Sequence, residues 1–307
     1  MQLFRKLEDI PAGFTAGAVS IGNFDGVHRG HARIIEQLQR RAIEANGPAV
    51  VFTFDPHPVR LLRPEAAPPP LTWTQRKASL LAELGVNVVV AYPTDETLLS
   101  LSPDEFFARI VLKSLNARAV VEGPNFFFGK DRGGDVGTLR RLCETADIHC
   151  DVVEPIKVEG AFISSSRIRN LLKEGLVAAA ATMLTQPYRI RGMVTHGAAR
   201  GAKLGFPTAN IAAVDTLLPL RGVYAGRAYI DDRAWPAAIH IGPNPTFQEE
   251  GLKVEAHVIG FDGSLYDRPL EVDFLDRLRD IHAFESTAEL TAQLTNDIAQ
   301  ARQICGA

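Results

Sequence analysis

The chain has 307 residues, more than a single hydrophobic core ordinarily serves, so two domains are expected. Hydrophobic residues at 46% and charged residues at 22% are those of an ordinary soluble globular protein. A net charge of −3 lacks the polybasic footprint of a general nucleic-acid binder, and no apolar run approaches membrane-spanning length.

The opening residues Met1-Gln2-Leu3-Phe4-Arg5-Lys6 lack the apolar segment of a signal peptide, which makes the cytoplasm the expected compartment. Cys143, Cys150 and Cys305 are odd in number and lack metal-ligand spacing, so they read as reduced and structural.

The first half alternates strand and helix signals. Ala16–Ile21 reads as a buried strand and Ala32–Ala45 as a helix, with Ile34, Ile35, Leu38, Ala42 and Ile43 at helical spacing. Ala49–Phe54 is a second strand, ending in Asp55-Pro56-His57-Pro58. The proline-rich stretch from Arg63 to Pro70 reads as an exposed loop able to serve as a mobile flap. Thr74–Leu84 reads as a helix stopped by Gly85, and Val86–Ala91 as a strand. Ser102-Pro103-Asp104-Glu105 is a capping box that opens a helix to Leu115. Ala117–Glu122 is the next strand, Asp135–Thr145 a helix, and Ile148–Val153 the last strand. Five strands separated by helices predict a parallel, doubly wound α/β sheet, whose ligands bind beyond the carboxyl ends of the strands.

Serines at 164–166 precede an apolar-periodic run to Leu172, the mark of a helix N-cap, with Gly175 as its stop. A short helix, Leu176–Leu184, follows, and Gln186-Pro187 reads as the linker. From Tyr188 the texture changes to short alternating strands at Arg189–Thr195, Thr208–Ile211, Val223–Ile230, Trp235–Ile241, Lys253–Ile259 and Leu270–Leu275. Six such strands without helices between them predict a small antiparallel β-barrel. Ser286-Thr287-Ala288-Glu289 opens a C-terminal helix whose Leu290, Leu294 and Ile298 form a stripe laid against that barrel. The expected domains are 1–184 and 188–307, with 185–187 between them.

Two turns and one strand face carry candidate chemistry. Gly22-Asn23-Phe24-Asp25-Gly26-Val27-His28-Arg29-Gly30-His31 joins the first strand to the first helix, where free N–H groups and the helix dipole favour phosphate. It is neither a Walker A loop nor a dinucleotide fingerprint. Ser164, Ser165 and Arg169 suit a second phosphate cradle, and the two turns together suit a triphosphate held from both ends. Taken singly, each also fits plain helix capping. In the second half, Gly197, Gly201 and Gly205 with Lys203 suit either a backbone cradle for phosphates or a flexible glycine hairpin. Thr208 and Asn210 alternate onto one strand face and suit magnesium or turn chemistry. Glu255 and His257 share a face opposite Val254, Ala256 and Val258, which also fits a solvated sheet face.

His28-Arg29-Gly30-His31 together with Ile163-Ser164-Ser165-Ser166 and Arg169 resembles the HxGH and ISSTxxR pair of the nucleotidyltransferase superfamily. Ile21–His31 with Phe52–Pro58 resembles the bacterial bifunctional riboflavin kinase/FAD synthetases, as do Gly205–Asn210, Gly222–Ala225, Ile241–Phe247 and Val254–His257. The resemblance runs in order along nearly the whole chain. It implies a Rossmann-like nucleotidyltransferase domain at 1–184 that transfers AMP from ATP to FMN, giving FAD and pyrophosphate. It implies a riboflavin kinase barrel at 188–307 that phosphorylates the ribityl hydroxyl. ATP, riboflavin, FMN, FAD and magnesium are the implied ligands, with no nucleic-acid or membrane partner; a weak homo-oligomer stays open.

Residue by residue, the resemblance implies that His28 and His31 stabilise charge at the α-phosphate, as neutral donors or as cations. Ser164, Ser165 and Arg169 would grip the leaving pyrophosphate, and Asn23 and Asp25 would contact the nucleotide or magnesium. Pro56, His57, Pro58 and Asn125 would lie near the flavin. In the kinase domain Gly197, Gly201 and Lys203 would cradle ATP, Thr208 and Asn210 would hold magnesium, and Glu255 would be the general base. Arg279, placed after the last strand, would stand on the flavin side. The chain departs from the family pattern at Thr185-Gln186 (usually Gly-Arg), Ser166 (Thr), Pro124 (acidic) and His240 (Asn), and the last two bear on flavin affinity. The alternatives are an enzyme with one competent site, an adenylyltransferase with another phosphate acceptor, and a non-catalytic flavin sensor. A sensor would lack Glu255 or the histidines and would carry a basic recognition helix.

Overall fold

The computed structural model describes residues 1–158, 160–197, 200–244, 246 and 249–306; the side chains of Lys203, Glu249 and Glu250 lie outside that description. The chain divides into two compact units, Met1–Pro68 with Trp73–Ser164, and Pro69–Thr72 with Ser165 onward.

Within the first unit, Val-rich runs pair side by side as parallel strands: β1 (Gln2–Phe4), β2 (Ala18–Ile21), β3 (Ala49–Phe54), β4 (Val88–Tyr92), β5 (Ala119–Glu122) and β6 (His149–Val152). Their order is β1-β4-β3-β2-β5-β6. Successive side chains point to opposite faces, so each strand feeds two cores. Val19, Ile21, Val50 and Phe52 join one core; Ala18, Ala49 and Val51 join the other. Helix α1 (Arg29–Glu44) covers the second face with Ile35, Leu38 and Ala42, together with Leu80 and Leu81 of α2 (Thr74–Glu83). The first face is covered by α3 (Pro103–Phe106, continued as π-helical Phe107–Ser114) and by α4 (Val136–Thr145). Burial on both faces is why these strands read as continuous apolar runs.

The sheet is doubly wound as expected, with one strand more. The three residues of β1 pair with β4 and give no periodic signal of their own. The strand order reverses between β2 and β5, and the loops beyond the carboxyl ends of those two strands flank the switch point where such sheets bind ligands. The proline-rich stretch contains two short helical turns, Val59–Leu62 and Pro64–Ala66. Its far end belongs to the second unit, where Leu71 is fully buried and the Pro70 carbonyl accepts from the Leu217 N–H at 2.9 Å. A short hairpin, β7 (Lys157–Val158) and β8 (Ala161–Phe162), precedes Ser164.

The second unit opens with α5 (Ser165–Lys173) and α6 (Val177–Met183). Its barrel comprises β9 (Tyr188–Thr195), β10 (Ala209–Ala212), β11 (Gly222–Ile230), β12 (Arg233–Asn244), β13 (Glu249–Val258) and β14 (Pro269–Arg279). The order β10-β13-β12-β11-β14-β9 closes on itself, and every pairing is antiparallel. Ile190, Tyr224, Ile239, Ala256 and Phe274, all fully buried, form its core. Helix α7 (Thr287–Cys305), capped by the Ser286 hydroxyl, lies on the barrel, with Ile298 and Ala301 against Ala225 and Ile259. All three cysteines are free thiols.

Candidate functional site

In the first unit, the turn after β2 delivers its histidines through the start of α1. His28 is the N-cap: its Nδ1 accepts the His31 N–H at 3.2 Å, and the His31 Nδ1 accepts the His28 N–H at 3.3 Å. This is a capping box built from two imidazoles. The rings stack 3.6 Å apart at 12°. Glycine at position 30 leaves the His28 ring its room, because a Cβ would sit 3.1 Å from that ring and push it back by a few tenths of an ångström. The turn itself is strained: Phe24 has φ 46° and Val27 φ 40°, a rare conformation for a β-branched residue.

Burial sets the charge of both rings. It pushes the His28 pKa down to about 4, against the pull of Asp25. It also holds His31 well below the usual value, reinforced by His28 and Lys77. With each Nδ1 engaged as an acceptor, a neutral ring carries its proton on Nε2. Burial thus favours the neutral form of both rings, with Nε2–H as the donor. Asn23 supplies a buried amide oxygen that has no hydrogen-bond partner among the described residues and is free to accept one. Asp25 is buried in the same turn.

The other expected residues of this unit also follow the carboxyl ends of strands. After β3, Asp55 accepts from the Thr74 hydroxyl, the Pro56 carbonyl accepts from Thr94 Oγ1 at 2.6 Å, and His57 Nδ1 accepts the Val59 N–H at 3.1 Å. Pro58 caps the short turn that follows. After β5, Pro124 and Asn125 form an exposed turn, ahead of the stacked rings of Phe126 and Phe128 at 5.2 Å. Ser164 closes the first unit; Ser165 opens α5 in the second. Arg169 is buried in the second unit, its Nε donating to the Pro69 carbonyl at 2.9 Å. The two halves of the expected phosphate grip thus fall in different units.

In the barrel, cross-strand register builds the second site. Asn210 stands opposite Glu255, Glu255 opposite His240, His240 opposite Val223, and Val223 opposite Arg279. Directly paired residues share a face. All five line one cavity of about 160 Å³, which is closed by Phe284 and by Leu290, Leu294 and Ile298 of α7. The Asn244 amide donates to Glu255 Oε2 at 3.1 Å. His240 Nε2 donates to the Pro243 carbonyl at 3.2 Å, and burial lowers the pKa of this ring despite Glu255 alongside. Thr208 and Gly201 line the same cavity. At Gly197 a Cβ would collide with the Asn210 amide at 2.2 Å, so glycine lets the backbone close over that residue.

Three expectations are corrected or bounded here. Gly201 lies in a helical turn, Arg200–Lys203, rather than a hairpin. The Lys203 side chain lies outside the described residues, as do Pro245 and Phe247 of the Ile241–Phe247 motif. Arg279 ends β14 instead of following it, because the ladder to β11 extends to that residue. Its guanidinium is held by buried Asp297 at 2.8–3.1 Å.

Lys77, Glu122 and Asp297 were not singled out in the sequence. Lys77 and Asp297 occupy apolar-stripe positions of their helices, with Leu80, Leu81 and Leu84 and with Leu290, Leu294 and Ile298. A charge on such a stripe was the available signal. Glu122 ends the apolar β5, accepts the Ile21 N–H at 2.5 Å, and is raised well above the carboxylate range by burial. Among the described residues no cluster of three or more His, Cys, Asp or Glu is placed to hold a metal, and no helix is long and apolar enough to cross a membrane.

Each unit thus holds one candidate site, at a sheet switch point in the first and on a barrel wall in the second, the arrangement of a two-domain enzyme with two separate active sites. Comparison with known proteins specifies it. The FAD synthetase family matches residues 12–167 and the riboflavin kinase family residues 184–305. The bifunctional riboflavin kinase/FMN adenylyltransferase of Pseudomonas fluorescens is 36% identical, with 99% of this chain and 98% of that protein aligned. The protein of the same description from Escherichia coli K12 is 32% identical over 100% and 98%. A solved structure described as a macrolide-efflux protein from Streptococcus pneumoniae is 31% identical, with a TM-score of 0.86 over 98% of both chains. The chain belongs to the bifunctional riboflavin kinase/FMN adenylyltransferase family, and both of its catalytic modules are present in the family's order.

Proposed function

We propose that the two sites work in series, the barrel making the substrate that the first unit consumes. The enzyme phosphorylates riboflavin to FMN and adenylylates FMN to FAD, with ATP as co-substrate in both steps. The observation that carries the reading is that each unit holds its own phosphate-handling set: the interlocked His28 and His31 in one, the Asn210–Glu255 pair in the other.

In the kinase step Glu255, held by Asn244, accepts the proton of the ribityl hydroxyl as that oxygen attacks the γ-phosphate of ATP. Gly197, Gly201 and Lys203 serve the phosphates, and Arg279 serves the flavin side. Thr208 and Asn210 offer the neutral oxygen donors magnesium accepts alongside substrate phosphates, where it would neutralise their charge. That donor set fits, since magnesium seldom needs an all-protein cage.

In the adenylyl step a phosphate oxygen of FMN attacks the α-phosphorus, and the bond to the bridging oxygen breaks with pyrophosphate leaving. His28 and His31 donate neutral Nε2–H bonds to the oxygens that gain charge. Asn23, through its orphan amide oxygen, and Asp25 contact the nucleotide. Ser164, Ser165 and Arg169 hold pyrophosphate; Pro56, His57, Pro58 and Asn125 border the flavin. We assign residues 1–184 to this activity, 185–187 to the linker and 188–307 to the kinase, on the family matches; by compactness alone α5 and α6 cluster with the barrel. Dependence on ATP supports a cytoplasmic enzyme, and the net charge of −3 supports small-molecule substrates over nucleic acid.

The test incubates the chain with riboflavin, ATP and Mg²⁺ and separates the flavins by chromatography. His31→Ala is expected to abolish FAD formation and spare FMN formation; Glu255→Ala is expected to do the reverse when FMN is supplied. A folded protein that makes no FMN refutes the kinase assignment. A single substitution that silences both activities without unfolding refutes the two-site arrangement.

A further inference from the structure

Neutral imidazoles donate hydrogen bonds but bring no charge, while two phosphate groups must approach one another at this turn. A cation is nonetheless built into its floor. Lys77 of α2 is only 8% exposed, on the helix face that carries Ala78, Leu80 and Leu81 into the core. Its Nζ donates to Thr53 Oγ1 at 3.2 Å, and that hydroxyl donates to the Asn23 carbonyl at 3.2 Å. The ammonium is thereby tied to the turn after β2. Burial lowers the Lys77 pKa from its ordinary value, the charges of Asp25 and Asp55 oppose that shift, and the Lys77 charge in turn lowers the pKa of His31.

An ammonium has three N–H donors. Among the described residues Thr53 is the hydrogen-bond partner of Lys77, and no carboxylate comes within ion-pair distance. A buried cation with most of its donors idle is costly, and an anion that engages those donors offsets the cost. The anion that fits is phosphate: the site offers Nε2–H donors, a helix N-terminus and this ammonium.

We propose that Lys77 is the cation of the adenylylation site, its free N–H groups binding the phosphate oxygens whose charge grows as FMN attacks the α-phosphorus. The proposal rests on the assignment of the His28–His31 turn to that step. Lys77 keeps its proton throughout: one P–O bond forms to the FMN oxygen, one breaks toward pyrophosphate, and the electron pair leaves with it. The simpler role is structural, holding Thr53 and so the turn in place.

Lys77→Gln separates the two, because glutamine keeps a donor for Thr53 and removes the charge. In the full chain, with FMN, ATP and Mg²⁺, kcat for FAD formation is expected to fall about 100-fold. The KM for FMN should move far less, and riboflavin phosphorylation, which occurs in the other unit, should be unchanged. Lys77→Ala should regain part of its kcat on addition of ethylammonium chloride, but not of equal ionic strength of sodium chloride. Retention of kcat within threefold in Lys77→Gln overturns the proposal, as does the absence of amine rescue in folded Lys77→Ala. His31→Ala run in parallel distinguishes the failures: if it too stays active, the assignment of the turn is wrong; if it alone is inactive, only the role of Lys77 is.

Discussion

Gly30→Ala tests how closely catalysis depends on the interlocked histidines. The added Cβ would lie 3.1 Å from both Cε1 and Nδ1 of His28, where ordinary contact begins at 3.4 Å, so the ring must retreat by a few tenths of an ångström. It is pinned on one edge by the His31 N–H at 3.2 Å and on one face by the His31 ring at 3.6 Å. Retreat therefore weakens the cap, at a cost of about 1 kcal/mol. Alanine in place of glycine favours the helix by about 1 kcal/mol. The two nearly cancel, and the melting temperature should move by no more than about 2 °C. The rate should not be spared. A 1 Å misplacement of a catalytic group costs on the order of 100-fold, so a shift of about half that predicts a loss of about tenfold. FAD formation from FMN and ATP, followed by chromatography, reads the effect, with riboflavin phosphorylation as the internal standard. Full FAD synthesis in a folded Gly30→Ala protein would refute the role given to the His28 ring.

Two further outcomes follow from buried charge. His28 titrates at about 4 in the fold, against about 6.5 in an unfolded chain, so the unfolded chain binds more protons between those values. Its contribution to stability is complete above pH 6.5 and is lost as the pH falls toward 4, by about 3 kcal/mol. Urea unfolding across that window should slope more steeply for the wild type than for His28→Asn, which keeps an N-cap; parallel curves would count against burial as the cause. Asp297→Asn should leave the Arg279 guanidinium without its charged partner, where the two side chains are 17% and 2% exposed. The expected cost is about 3 kcal/mol in the second unit with reduced riboflavin phosphorylation, while FAD formation from supplied FMN continues. A loss below about 1 kcal/mol would mean that water replaces the carboxylate.

Much of the architecture was legible because its causes are local. The apolar runs at Ala18–Ile21 and Ala49–Phe54 pack on both sides, and α1 carries Ile35 and Leu38 at helical spacing, so strand, helix and parallel winding all leave a mark in the chain. The serine-led capping box at Ser102 sits where it was read; at Ser286 the hydroxyl caps the helix but Glu289 accepts the Glu285 N–H at 3.2 Å, so only half of the expected box forms. The helix after β2 begins three residues earlier than its first apolar signal, because a histidine, uncommon as a cap, closes its first turn. Strand β1 was missed because three residues carry no periodicity; pairing with β4 makes it a strand. Barrel strands β12 to β14 outrun their alternating segments for the same reason, and that extension brings Arg279 into the ladder.

The sequence by itself determined the two-domain order, the winding of the sheet, the barrel, and the motifs by which the chain resembles its family. All of these depend on periodicity, turn chemistry and motif spacing along one chain. Only the tertiary structure decided which of those residues are neutral, paired or orphaned. Burial lowers the pKa of His28 and His31, Glu255 meets Asn210 and His240 through strand register, and Lys77 is buried because α2 packs on the sheet and brings its Nζ to Thr53 of β3. Desolvation and cross-strand register arise between segments far apart in sequence, and they convert a set of motif residues into a site with a defined charge.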